Sequence, residues 1–182
     1  MDKFSEKLIS SKRIFDGRLL GVRVDTVKVA NGLETTREIV EHPGAVAVVA
    51  VTGNNELVLV RQFRTPTGEA LLELPAGVPH KGEKREESAR RELAEETGYH
   101  ARNVKKIWEG YASPGYSNEL IEFFLATEFE QRPPAPDEDE FVEPELVDLG
   151  AAWELVKAGK VRDNKTIIGI LIADLLRKGE LK

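Results

Sequence analysis

A chain of 182 residues, 41% hydrophobic and 32% charged, suits one soluble domain with a real core and perhaps a small appendage. The formal charge of −6 argues against a nucleic-acid-binding surface, so any anion site has to be built from local Arg, Lys or metal. Cysteine is absent, which excludes disulfides, zinc–thiolate sites and thiol nucleophiles, and His42, His80 and His100 show no ligand spacing. The first fifteen residues carry no signal-like apolar run, and no segment approaches 18 uncharged apolar residues. The expectation is a cytoplasmic protein with no membrane partner.

Leu19 to Val29 alternates in part and reads as a strand, Asn31-Gly32 as a two-residue hairpin turn, and Glu34 to Val40 as the return strand. Gly44 to Thr52 is a continuous apolar run that suits a strand buried on both faces. Glu56 to Arg64 and Ala70 to Leu74 read as further strands, ending at Pro75-Ala76-Gly77. A helix is expected from near Arg85 to Thr97, with Gly98 as its stop and a thin apolar stripe of Ala89 and Leu93. Strands follow at Val104 to Tyr111, Leu120 to Phe129 and Phe141 to Leu149, broken by a Pro-rich acidic loop from Gln131 to Glu140. Ala151 to Ala158 reads as a short helix. Lys165 to Arg177 reads as a closing amphipathic one, with Ile167, Ile168, Leu171, Leu175 and Leu176 as its apolar face. The order of elements points to an α+β or mixed-sheet sandwich, not a doubly wound fold.

The informative stretch is Gly77 to Tyr99, GVPHKGEKREESARRELAEETGY. On a helix, Glu92, Glu95 and Glu96 fall on one sector, and Glu92 repels both of the others. Like pairs at these spacings cost roughly 0.2–0.5 kcal/mol each. Such a cluster is either a solvated face or the oxygen-rich site of a hard cation. The second reading gains from Gly77, where the backbone can approach a cation closely.

Gly77, five residues, Glu83, seven residues, then Arg91-Glu92-Leu93-x-Glu95-Glu96-x-Gly98-Tyr99 resembles the Nudix box position for position, with Tyr99 where an aliphatic residue is usual. The resemblance implies an α/β/α sandwich around a mixed sheet. It also implies a hydrolase for nucleoside diphosphates linked to another moiety, using two or three Mg²⁺ or Mn²⁺ ions. By match to the box, Glu92 and Glu96 would be the principal metal ligands, with Glu95 assisting and the Ala76 carbonyl completing the shell. Arg91 would hold a glutamate by an ion pair, and Glu83 would be a metal ligand or a support. A glutamate of the acidic loop would accept the proton of the attacking water. Glu138 and Glu140 share that assignment, with Asp139 as the alternative.

Pro114, fifteen residues beyond the box in Ser113-Pro114-Gly115, resembles the ADP-ribose pyrophosphatase and nucleotide-sugar hydrolase subgroup, as do Leu72 to Gly77 and Arg61-Gln62-Phe63-Arg64. On that match Arg64 would bind the diphosphate, Arg37 would help hold the nucleotide, and Glu119 would contact the terminal ribose beside Ser113 and Pro114. ADP-ribose, cleaved to AMP and ribose 5-phosphate, is the expected substrate, with GDP-mannose or a broad set of nucleotide sugars as the alternative. From another class, a nucleotide-sugar sensor without catalysis would be expected to have lost box glutamates, and none is missing. Members of this subgroup are usually homodimers that exchange an N-terminal sheet. The expected organisation is therefore an N-terminal β-region over residues 1–42, a hairpin or small sheet exchanged in a homodimer, and a hydrolase domain over 43–182.

Overall fold

The computed structural model describes residues 2–136 and 141–181. Three strands open the chain, β1 (Lys7–Asp16), β2 (Gly21–Lys28) and β3 (Glu34–Glu41), in one antiparallel sheet of that order. The hairpin between β2 and β3 is where Asn31-Gly32 places it, but its loop has three residues. The Val29 N–H donates to Leu33 O at 3.0 Å, and the Gly32 N–H to Val29 O at 2.9 Å. Gly32, at φ 89°, takes the left-handed position that such a loop requires. Strand β1 was not expected. Its register against β2 slips between Leu8 and Ser10 and again between Arg13 and Phe15, so no clean alternation survives in its sequence.

The remaining strands are β4 (Ala45–Ala50), β5 (Glu56–Arg64), β6 (Glu69–Glu73), β7 (Ala76–Gly77), β8 (Tyr99–Tyr111), β9 (Leu120–Gln131) and β10 (Val142–Asp148). They form a mixed sheet of order β7-β4-β9-β8 and a second sheet of order β10-β5-β6. Strand β4 pairs antiparallel with β7 and parallel with β9, from Ala45 opposite Ile121 to Ala50 opposite Ala126.

Alternation along β4 makes the layers. Val46, Val48 and Ala50 join Ala89 and Leu93 of α1 (Arg85–Thr97) in one buried cluster. Ala47 and Val49 face the opposite cluster, with Ala152 of α2 (Leu149–Lys157) and Ile170 of α3 (Asn164–Lys178). Helices therefore cover both faces of β4, which is why its sequence is apolar throughout. The fold is α+β, an α/β/α sandwich on mixed strands with a small N-terminal antiparallel sheet, as expected. Tyr99 belongs to the α1-side core, its ring edge-on to Phe129 with centroids 5.5 Å apart.

One helix face differs from the expected one. Helix α3 buries Thr166, Gly169, Ile170, Ile172 and Ala173, while Ile168, Leu171 and Leu175 are exposed and Ile167 and Leu176 lie at the margin. Small residues decide this: a Cβ on Gly169 would lie 2.3 Å from Leu74 Cδ1, so the helix approaches β6 through its glycine face. No helix among the described residues is long and apolar enough to cross a membrane.

By contact the chain divides into two compact units. Residues up to Gly44 join Gly110–Leu120 in one, and Ala45–Glu109 joins Ile121 onward in the other. The Ser113–Glu119 excursion thus belongs to the unit of the N-terminal sheet. Within it the Val40 N–H donates to Tyr116 O at 2.8 Å, and the His42 N–H to Asn118 Oδ1 at 2.8 Å.

Candidate active site

Helix α1 carries the acidic cluster, and its ends explain its length. Lys84 precedes it without a side-chain cap, Glu86 and Glu87 favour its first turn, and Gly98 at φ 74° ends it with an N–H to Ala94 O. Its last turn holds no basic residue, so Glu95 and Glu96 sit against the unfavourable end of the helix dipole. Glu92 and Glu96 are buried, at 8% and 3% exposure. Both face the short strand β7. The Ala76 N–H donates to Glu96 Oε2 at 3.2 Å, and a Cβ on Gly77 would lie 2.2 Å from the Glu92 carboxylate. Glycine is needed here for close approach, the cradle that the box spacing anticipates.

Arg91 is the organising cation. Its Nε and Nη2 donate to the two oxygens of Glu83, both at 3.0 Å, a bidentate pair. Its Nη1 lies 2.9 Å from Glu92 Oε1 and 2.9 Å from Glu95 Oε2. One guanidinium therefore serves three carboxylates. Hydrogen bonds from Arg91 hold the Glu83 carboxyl down at about 2, helped by the His80 N–H, against the opposing effect of burial. Glu83 is thus engaged in holding Arg91, and Glu95, the assisting ligand of the sequence reading, is engaged by Arg91 as well. Among the described residues no three acidic or histidine side chains converge into a closed cage. What the chain offers a cation is an open arc of two buried carboxylates and the Ala76–Gly77 backbone. Hard oxygen donors of this kind fit a divalent ion such as Mg²⁺.

A second network closes around the end of β5. Arg64 donates through Nε and Nη2 to both oxygens of Glu73, at 2.7 and 2.8 Å. Lys165 of α3 also bonds Glu73, and reaches Asp163 at 3.0 Å. The Arg64 side chain is 38% exposed, whereas Glu73 is 2% exposed. Burial would raise the Glu73 carboxyl, but the bonds from Arg64 and the charge of Lys165 outweigh it and hold the group below its ordinary value. The Arg64 guanidinium is correspondingly raised, first by Glu73, with smaller contributions from the fields of Glu96 and Asp163. The chain pattern did not single out Glu73, Asp163 or Lys165 as site residues. Glu73 sits in the quoted Leu72–Gly77 motif, a signal available in principle. Lys165 lies 92 residues further on and gives none. Arg61, one face away, donates to Glu145 at 2.5 Å.

Arg37, Ser113, Pro114 and Glu119 lie in the other unit. Arg37 on β3 stands opposite Asp25 in the ladder and binds Glu6 Oε1 at 2.5 Å. Ser113 O accepts the Tyr116 and Ser117 N–H groups, which makes Pro114 the corner of a tight turn. The Glu119 carboxylate lies 3.9 Å from His42 Nδ1, and its N–H is held by Ser117 Oγ at 3.1 Å. Tyr111 and Tyr116 are exposed, at 63% and 58%. Glu138, Asp139 and Glu140, which share the base assignment, fall outside the described residues.

Residues 41–168 match the NUDIX domain family. The chain is 44% identical over 172 residues to an ADP-ribose pyrophosphatase of Bacillus subtilis (strain 168), covering 93% of each. It is 40% identical over 169 residues to a methanol dehydrogenase activator of Bacillus methanolicus, covering 92% of this chain and 91% of that protein. It is 38% identical over 134 residues to a GDP-mannose pyrophosphatase of Escherichia coli O9:H4 (strain HS), covering 69% and 70% of the two chains. The crystal structure of an ADP compounds hydrolase shares its fold at a TM-score of 0.87 and 20% identity, over 99% of this chain and 98% of that one. With the box glutamates held against Gly77 and Ala76 and most of the chain matched, this protein belongs to the NUDIX family and is a Nudix hydrolase.

Proposed function

We propose that the protein hydrolyses the diphosphate bond of nucleoside diphosphate sugars, with ADP-ribose as the principal substrate and AMP and ribose 5-phosphate as products. The observation that carries the reading is the pair of buried carboxylates, Glu92 and Glu96, pressed against Ala76 and Gly77, with Arg91 bridging Glu83, Glu92 and Glu95 beside them. Glu92, Glu96 and the Ala76 carbonyl would hold Mg²⁺ or Mn²⁺, two or three ions in all. Bound there, the metal supplies charge neutralisation for the diphosphate and lowers the pKa of water. The Ala76–Gly77 backbone fixes the two glutamates, and Arg91 keeps Glu92 and Glu95 from splaying apart. Arg64, with its guanidinium edge opposite Glu73, binds the diphosphate and withdraws charge from the leaving group. A carboxylate at Glu138 or Glu140 takes the proton of the attacking water. Arg37, Ser113, Pro114 and Glu119 are retained as substrate contacts on the strength of the sequence resemblance.

The name of the Bacillus subtilis relative supports ADP-ribose, and that of the Escherichia coli relative supports GDP-mannose as the rival. A screen of nucleoside diphosphate sugars with Mg²⁺, read by product analysis, decides between them. The expected result is AMP from ADP-ribose at the highest kcat/KM. Binding without any nucleotide release would replace the hydrolase reading with a sensor.

We also propose a homodimer formed through the N-terminal sheet. All ten residues of β1 are exposed, and Leu8, Ile9, Ile14 and Phe15 are each close to half exposed or more, more apolar surface than a lone strand leaves to water. Sedimentation equilibrium should return twice the chain mass. A monomer at micromolar concentration contradicts it.

A further inference from the structure

We propose that Lys165, acting through Glu73, is a positioning residue for Arg64, so that the first turn of α3 sets the edge of the guanidinium that meets the substrate. The inference rests on the reading of Arg64 as the diphosphate ligand.

The geometry is a closed circuit inside one unit. Glu73 spends both oxygens on Arg64, and Lys165 bonds one of the same oxygens from the other side. Lys165 is itself fixed by Asp163 at 3.0 Å. Asp163 cannot swing, because it caps α3 by accepting the Thr166 N–H at 2.9 Å and the Thr166 hydroxyl at 2.5 Å. The Thr166 hydroxyl in turn accepts the Leu74 N–H at 2.8 Å, which returns the circuit to the residue beside Glu73. The tight contact of Gly169 with Leu74 holds the helix and the strand end together.

Exposure falls from 38% at Arg64 to 13% at Lys165 and 2% at Glu73. The arginine is the most exposed of the three, and its Nη1 takes no part in the two bonds to Glu73. A carboxylate shared by two cations neutralises neither completely. Lys165 therefore does two things for Arg64: it stops Glu73 from rotating, and it draws off part of the carboxylate's charge, leaving the guanidinium edge more positive toward a diphosphate. A carboxylate held by Arg64 alone would be free to follow the arginine. Held by both, it is an anchor.

A double-mutant cycle on Lys165→Met and Arg64→Met tests this, with kcat and KM for ADP-ribose and the thermal midpoint of each variant measured. Lys165→Met should lower kcat/KM by about tenfold, chiefly by raising KM, and Arg64→Met by about a hundredfold. The double variant should be no worse than Arg64→Met alone within about twofold, because a positioning residue has nothing left to position. Losses that multiply overturn the proposal, as does a Lys165→Met variant with a lowered midpoint and unchanged kcat/KM. Should Lys165→Met not fold, Lys165→Gln, which keeps a hydrogen bond to Glu73 without the charge, runs the same cycle. An Arg64→Met variant as active as the parent removes the diphosphate role of Arg64 and this proposal with it. A parent that hydrolyses no nucleotide sugar sinks the functional reading separately, and the cycle is then read on ADP-ribose affinity by calorimetry.

Discussion

Two arginine-centred networks sit in the same unit with opposite charge accounts. Arg91 bridges Glu83, Glu92 and Glu95, with Glu96 buried close by on the same helix. Arg64 and Lys165 are matched against Glu73 and Asp163, two cations to two carboxylates. The first cluster gathers carboxylates on one helix, the arrangement proposed above to take a divalent cation. The second pairs its charges internally and leaves Arg64, at 38% exposure, the most accessible of its side chains. Catalysis of diphosphate cleavage needs both: a site that accepts metal and a fixed charge that accepts the substrate.

The most severe way to break the contrast is to neutralise the acidic side. Glu96→Gln should lower kcat by about a thousandfold or more while ADP-ribose affinity largely survives, as steady-state kinetics and calorimetry would register. Retained turnover would mean that Glu96 holds no metal. Gly77→Ala attacks the same cluster through space, since its Cβ would lie 2.2 Å from the Glu92 carboxylate. We expect a destabilisation of about 1–3 kcal/mol and a Mg²⁺ half-saturation raised about tenfold or more, seen by melting and by metal titration of activity.

A milder sharpening uses the metal itself. Mg²⁺ at a hundred times its dissociation constant should stabilise the parent by about 2.7 kcal/mol. The thermal midpoint should rise correspondingly by about 5–10 °C. The Glu92→Gln variant should lose most of that rise, whereas Lys165→Met should keep it. Equal rises in all three proteins would show that the cation binds elsewhere.

The smallest expected effect concerns pH. Glu83 titrates at about 2 in the folded chain instead of 4.5, so it binds its proton more readily when unfolded. Its contribution to stability is therefore complete above pH 4.5 and is lost as the pH falls from there through about 2. The difference in thermal midpoint between the parent and Glu83→Gln should shrink over that interval. A difference independent of pH would show that Glu83 does not act through its charge on Arg91.

Much of the site was legible because its signal is local. Glu83, Arg91, Glu92, Glu95 and Glu96 lie within fourteen consecutive positions, and helix spacing brings Glu92, Glu95 and Glu96 to one sector before any tertiary contact forms. The bounds of α1 and the Gly98 stop were legible for the same reason, as was the all-apolar β4. Strand β1 was hidden by its two register shifts. The exposed face of α3 was misread because hydropathy favours the large residues Ile168 and Leu171, while the structure docks the helix through Gly169 and Ala173, where backbones can approach.

The sequence by itself determined the family, because the box residues and their spacing are written in one helix and the strand before it. Only the tertiary structure decided how the arginines are held. Glu73 and Lys165 are 92 positions apart, and nothing in the sequence marks Lys165 as the partner of Glu73. They meet because β6 and the first turn of α3 close on each other, and a charge pair between distant segments exists only once the core beneath it has formed.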